Sequence, residues 1–234
     1  MAETQAYVDK YQFTPAENKR FARSNFTKLV YTNARFEGVN TTLPQTQTIM
    51  DGMSVAGVPI ADILTIVNLK RGWQYVTVQK EPLTLAMEKQ INKIVAAEDA
   101  LVPGELRQGK GGVDLGSEEF FEPPLIDEAH EQEFLQKTLA NPQMTTTNKA
   151  LTVMYHNMRQ QIFWDGNKRT SVLSANKIMI DGGAGLINVP LDRWDKWNKL
   201  IAEYYRTNDM EKIKGWTYQN GIQGLAVRVN KKSK

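Results

Sequence analysis

The chain has no cysteine, which excludes disulfides, zinc thiolate sites and cysteine nucleophiles. Histidine is nearly as scarce. His130 and His156 are the two imidazoles, too few for a multi-histidine metal centre. No apolar run approaches the roughly 18–20 residues that a membrane-spanning helix needs. The opening residues Met-Ala-Glu-Thr-Gln lack the basic-then-apolar pattern of a secretory signal, so a cytoplasmic location with no membrane partner is expected. Charge of one sign is also in short supply, since 29 Lys and Arg against 26 Asp and Glu leave a net +3. Four of those bases, Arg228, Lys231, Lys232 and Lys234, crowd the last seven residues. In an otherwise near-neutral chain this tail reads as a solvated end, and nucleic acid is not an expected partner.

What is present suits a globular protein. The 234 residues are 41% apolar and 24% charged, enough for one sizeable core with a small attached lobe. The pattern is mostly helical, so the expected fold class is an all-α bundle with a small β-hairpin. Thr14-Pro15-Ala16-Glu17 combines a capping box with proline at the first helical position. Phe21, Leu29, Val30 and Phe36 then follow one amphipathic face. Further helices are predicted over 61–78, over 85–100 behind a Thr84 cap, over 126–139 and over 147–160. Others are expected over 171–180, 190–205 and 209–219. Between Pro103 and Pro124, five glycines interrupt the helical pattern and point to short strands or a hairpin.

The chemistry is concentrated in Gln161-Ile162-Phe163-Trp164-Asp165-Gly166-Asn167-Lys168-Arg169-Thr170. A glycine that lets the backbone approach a ligand, followed by a helix N-terminus, is a design for phosphate. Lys168 and Arg169 add positive charge, and cations at a helix N-terminus are unfavourable without an anion. Asp165 could hold magnesium, which prefers one or two carboxylates plus phosphate and water, or it could cap the following helix. Asn167 and Arg169 would hold phosphate oxygens, and Gly166 would offer its N–H. Phe163 reads as a core anchor, and Trp164 as either a stacking or a packing residue.

This stretch resembles the signature of the Fic/Doc (fido) family, His-x-Phe-x-Asp/Glu-Gly-Asn-Gly/Lys-Arg-x-x-Arg. Phe163, Asp165, Gly166, Asn167, Lys168 and Arg169 match, while Gln161 stands at the histidine and Val172 at the second arginine. Three further segments are similar. Arg35-Phe36-Glu37-Gly38-Val39-Asn40 resembles an upstream Ile-Glu-Gly-Asn element. Residues 103–107, with Val113 and Pro123-Pro124, resemble the stretch bearing the family's hairpin flap. Gly185 to Pro190 and the Tyr204-Tyr205 helix resemble its usual ending.

The resemblance implies a Fic-like fold in three parts. These are an N-terminal helical region (1–100) holding the Glu37 segment, a core (101–224) with flap (about 104–122) and motif (161–172), and a basic tail (225–234). It further implies a nucleotide partner, ATP with Mg2+, and a target protein docking at the flap, Val113 to Phe121. The implied reaction is transfer of AMP to a target hydroxyl. The family's histidine is the general base there. Gln161 has no useful basicity, so activity is expected to be weak or lost. The alternatives are a non-enzymatic interaction scaffold (a pseudoenzyme) and a phosphotransferase like the Doc branch, which also has Lys at the position of Lys168. His156 is a candidate substitute base or a packing residue. In the family an inhibitory glutamate pairs with the second arginine. Glu37 is the possible regulatory residue here, although Val172 occupies the position of its partner. Family members often form dimers, so a homodimer is a further expectation.

Overall fold

The structure, a computed structural model, describes residues 7–116 and 119–226; the basic bases of the C-terminal tail lie outside them. Ten α-helices and two short sheets are present among these residues. In chain order they are α1 (Pro15–Ser24), α2 (Phe26–Ala34), α3 (Leu43–Met50), α4 (Ile60–Val78), α5 (Leu85–Val95), β1 (Val113–Gly116) and β2 (Glu119–Phe121). There follow α6 (Glu128–Ala140), α7 (Thr146–Gln160), α8 (Asn167–Asp181), β3 (Leu186–Ile187), α9 (Trp194–Thr207), α10 (Glu211–Asn220) and β4 (Ile222–Gln223). β1 and β2 form an antiparallel hairpin, and β3 and β4 a second antiparallel pair. No described helix is long and apolar enough to cross a membrane.

Local chemistry explains most helix starts. Thr14 and Glu17 close the expected capping box at α1, and Thr84 accepts from the Met87 N–H at α5. Several boundaries differ from the sequence reading, among them the start of α9 at Trp194 and not at Pro190. The helix expected through Phe21 and Phe36 is broken at Asn25, whose side-chain amide bonds back to the Phe21 carbonyl at 2.8 Å. Such local bonding competes with helix propagation. α3 was not anticipated, although Thr42 and Gln45 form a second capping box with proline at its start. α5 stops at Val95 instead of reaching Ala100, because the Val95 carbonyl accepts from Arg169 Nη1 at 2.6 Å. α8 begins at Asn167, four residues ahead of the expected Ser171.

The core is built around α8, which is buried on every face from Arg169 to Ile180. It lies against α7 and also touches α1, α4, α5 and β3. At the α4–α5–α8 junction, a methyl group on Gly72 would stand 2.6 Å from both Leu173 and Val95, so only glycine allows that approach. The apolar core takes Leu29, Ile66, Trp73 and Ile91 from the first hundred residues and Tyr155, Leu173, Trp197 and Ile213 from the rest. Packing therefore joins the N-terminal region to the motif region, and it fixes the ends of α7 and α8 where the motif loop crosses between them.

Candidate functional site

Residues 161–166 link α7 to α8. Gln161 ends α7 in the left-handed conformation (φ 50°, ψ 54°), which is uncommon for a non-glycine residue. Its side-chain amide donates to the Met158 carbonyl at 2.6 Å and accepts from Asn167 Nδ2 at 3.1 Å. Tyr205 Oη, which donates to the same carbonyl, lies 3.5 Å away. Gln161 is thus held in place, but no atom in its environment makes it a base.

Asn167 organises the turn. Its Oδ1 accepts from the Phe163 N–H and its Nδ2 donates to the Phe163 carbonyl, both at 2.9 Å. Phe163 is buried in the core as expected. Gly166 adopts φ +68°, and an added Cβ would come 2.6 Å from Ala96 Cβ. The Gly166 N–H donates to Asp165 Oδ1 at 2.5 Å, so in this structure it serves the loop and is not held free for a phosphate. Asp165 does not cap α8 through its side chain; Gly166 is the N-cap.

Arg169 is almost wholly buried and is surrounded by acids. Its Nε lies 2.8 Å from Glu37 Oε1, its Nη1 2.7 Å from Asp99 Oδ2, and its Nη2 3.6 Å from Asp165 Oδ1. Nε and Nη2 nonetheless make no aligned hydrogen bond among the described residues; these contacts are charge proximity more than hydrogen bonding. The dipole conflict of a base at the start of α8 is therefore answered for Arg169 within the protein. Glu37, whose side chain is 27% exposed, pairs with the first motif arginine and not at position 172, where Val172 is buried in the core. Burial raises the Glu37 carboxyl above its usual range, against the opposing pull of Arg169. Burial also lowers the Lys168 amine, with Glu37 acting in the other direction. His156 is a packing residue: it stacks on Phe134 and bonds Glu131 at 2.7 Å.

Two cavities meet at this site. One, of 260 Å³, is lined by Glu37, Gln161, Trp164, Asp165, Asn167 and Lys168, with Gly112 to Asp114 of the flap and Phe36. The other, of 330 Å³, lies between β1 and α9 and is walled by Asn198, Ile201, Ala202 and Tyr205. Val113, Asp114 and Lys168 line both. Arg169 lines neither, so of the two motif bases only Lys168 faces open space. The flap rests on α9 through Phe121 against Tyr205, with centroids 5.3 Å apart, and through a bidentate Arg206–Glu119 pair.

The donor set is compatible with a magnesium ion that arrives with phosphate oxygens. Asp165 is half exposed at the cavity, with one oxygen engaged by Gly166. A single carboxylate suits magnesium when phosphates and water complete the shell. Among the described residues no group of three or more His, Cys, Asp or Glu could hold a metal alone.

Sequence reasoning missed Asn92. Its Nδ2 donates to the Asp165 carbonyl at 2.8 Å and to Thr170 Oγ1 at 3.1 Å, while its Oδ1 accepts from the Gly104 N–H. The available signal was a polar residue beside Ile91 on the apolar face of α5, since buried amides need partners. Asp99 was missed too, and nothing local marks it.

No protein-family model matches the chain, and no curated protein does. Solved structures do. A Fic-domain-containing signaling protein from Bacteroides thetaiotaomicron is 16% identical with TM-score 0.74, over 88% of this chain and 86% of that one. Fic-1 from C. elegans is 18% identical with TM-score 0.71, over 85% of this chain and 60% of that one. A Fic family protein from Desulfovibrio desulfuricans is 18% identical with TM-score 0.68, over 86% and 64%. The chain spans under two thirds of the latter two. At such identities the likeness is one of architecture, and the fold of this chain is that of the Fic-domain proteins.

Proposed function

We propose that this Fic-fold protein binds a nucleotide, ATP with Mg2+, at the motif and flap, and that it transfers AMP to a target hydroxyl weakly or not at all. The observation that carries the reading is the pair of cavities joined at Lys168 and β1. The polar one suits phosphates, with Lys168 as cation and Asp165 beside it. The second sets Ile201 and Ala202 beside Asn198, apolar walls with a polar side chain among them, as small-molecule sites have. Asp165 is the residue that would hold magnesium, which when bound neutralises phosphate charge. Asn167 keeps Gly166 and Lys168 in register by bracketing Phe163. Glu37 is the proposed regulatory residue, because its carboxylate lines the motif cavity with Lys168, where it would repel an incoming phosphate. Val113 to Phe121 would present the target protein segment.

The missing part is the base. Loss of a positioned general base costs about 10²–10⁴-fold in rate, and the side-chain amide of Gln161 is committed to Met158 and Asn167. Gln161→His tests this. The left-handed backbone there suits histidine better than glutamine, and label from α-phosphate-labelled ATP is expected on the variant or on a protein acceptor, at least a hundredfold above the unaltered chain. A folded variant that binds Mg-ATP and transfers nothing would contradict the claim that only the base is missing. Label from the γ-phosphate would point to phosphorylation.

One observation favours a second reading, a non-enzymatic scaffold: Phe120 on the flap is 71% exposed. If that reading holds, removing the hairpin abolishes partner binding while Asp165→Ala leaves it intact.

A further inference from the structure

We propose that Arg107 is a positioning residue, the clamp that closes the neck of the flap onto the start of the motif loop. Its guanidinium is buried and donates to four backbone carbonyls drawn from three parts of the chain. Nε bonds Gln161 O at 3.0 Å, Nη2 bonds Pro124 O at 2.7 Å and Gln160 O at 3.3 Å, and Nη1 bonds Gly109 O. The backbone takes part as well: the Arg107 N–H donates to Ile162 O at 2.9 Å, beside the Leu106–Phe163 bridge.

Gly109 and Pro124 are the two sides of the excursion that carries the hairpin. Gln160 is the last residue of α7 and Gln161 its C-cap, where the terminal carbonyls lack helical partners and carry the negative end of the dipole. One planar cation thus answers two needs at once. It satisfies the end of α7, and it ties both sides of the neck to the residue that stands at the base position. The fork geometry matters. An ammonium offers three donors from one point and cannot reach four carbonyls spread around the edge of a planar fork. The environment is also tight: a methyl on Gly111 would lie 3.1 Å from Arg107 Cδ. By this linkage the position of Val113 and Asp114 over the motif cavity depends on Arg107, although Arg107 lines neither cavity.

The inference rests in part on the nucleotide reading, so its test has one arm that does not. Backbone hydrogen exchange would be followed on the ligand-free full chain for the unaltered protein, Arg107→Lys and Arg107→Met. The clamp predicts that peptides covering 108–125 exchange at least tenfold faster in both variants. Peptides from α4 and α8 should be unchanged, even though the melting temperature falls as buried carbonyls lose their donor. Equal flap exchange in a folded variant would overturn the proposal, as would a uniform increase that includes α4 and α8. Retention of wild-type protection by Arg107→Lys would also overturn it, because charge alone would then suffice. In the second arm, Mg-ATP affinity is expected to fall at least fivefold in Arg107→Lys. A loosened flap with unchanged affinity would refute the link between flap position and cavity. A loosened flap in a chain that never binds Mg-ATP would leave the clamp standing and remove the nucleotide reading.

Discussion

At the scale of single residues, the motif loop is held by contacts that leave few side chains free. Asn167 and Arg169 are structural as well as candidate ligands, so removing either would unfold the loop before it informed on binding. Lys168 and Asp165 are the cleaner probes. Gly166 is the most constrained position: it combines φ +68° with 2.6 Å from Ala96. Gly166→Ala is therefore expected to cost about 2–4 kcal/mol, from backbone strain and overpacking together. Urea denaturation measures this, and a loss below about 0.5 kcal/mol would show that the loop can shift freely. Glu37 makes a different prediction. Without its carboxylate in the cavity wall beside Lys168, a phosphate meets less repulsion, and Glu37→Gln should tighten Mg-ATP binding about five- to tenfold, or roughly 1 kcal/mol. Unchanged affinity in that variant would remove the regulatory role.

At the scale of elements, much of the architecture was legible because capping chemistry is local. Thr14 with Glu17 and Thr84 with Met87 announce α1 and α5, and the glycines of 104–116 announce the flap. Thr42 with Gln45 carries the same signal for α3, and the sequence reading passed over it. Thr42→Ala is expected to cost about 1 kcal/mol by loss of the cap, seen as a lowered denaturation midpoint with an unchanged slope. An unshifted midpoint would mean that packing of Thr46 and Ile49 fixes α3 unaided. The motif was legible residue by residue, since its spacing is contiguous. The acids around Arg169 were not. Asp165 is the local exception, four residues ahead of Arg169; Glu37 and Asp99 reach it only through tertiary packing, and no periodicity in the chain marks that meeting. The early end of α5 has the same origin, because a tertiary donor takes the Val95 carbonyl.

For the whole molecule, the polar groups buried between α5, α6 and α7 set a dependence on pH. Glu88 is 2% exposed and accepts from Asn157 Nδ2 at 2.7 Å. Burial pushes its carboxyl from 4.5 up to about 7, opposed by the hydrogen bond from Asn157 and helped by the nearby Glu131. The folded state keeps this proton to higher pH than the unfolded chain does. Its contribution is therefore complete below pH 4.5, falls as pH rises toward about 7, and is flat above. Glu88→Gln should remove that slope and stabilise the protein at pH 8 by an amount on the order of 3 kcal/mol. Chemical denaturation across this range compares the two, and identical slopes would show that Glu88 is charged in the fold.

The central claim is that the motif cavity holds a nucleotide through Asp165 and Lys168. Calorimetric titration of Mg-ATP into the unaltered chain, Asp165→Ala and Lys168→Ala tests it most directly. The account predicts saturable binding by the unaltered chain and at least a tenfold loss in each variant, with both variants still folded. Absence of binding by the unaltered chain, or equal binding by all three, would contradict it.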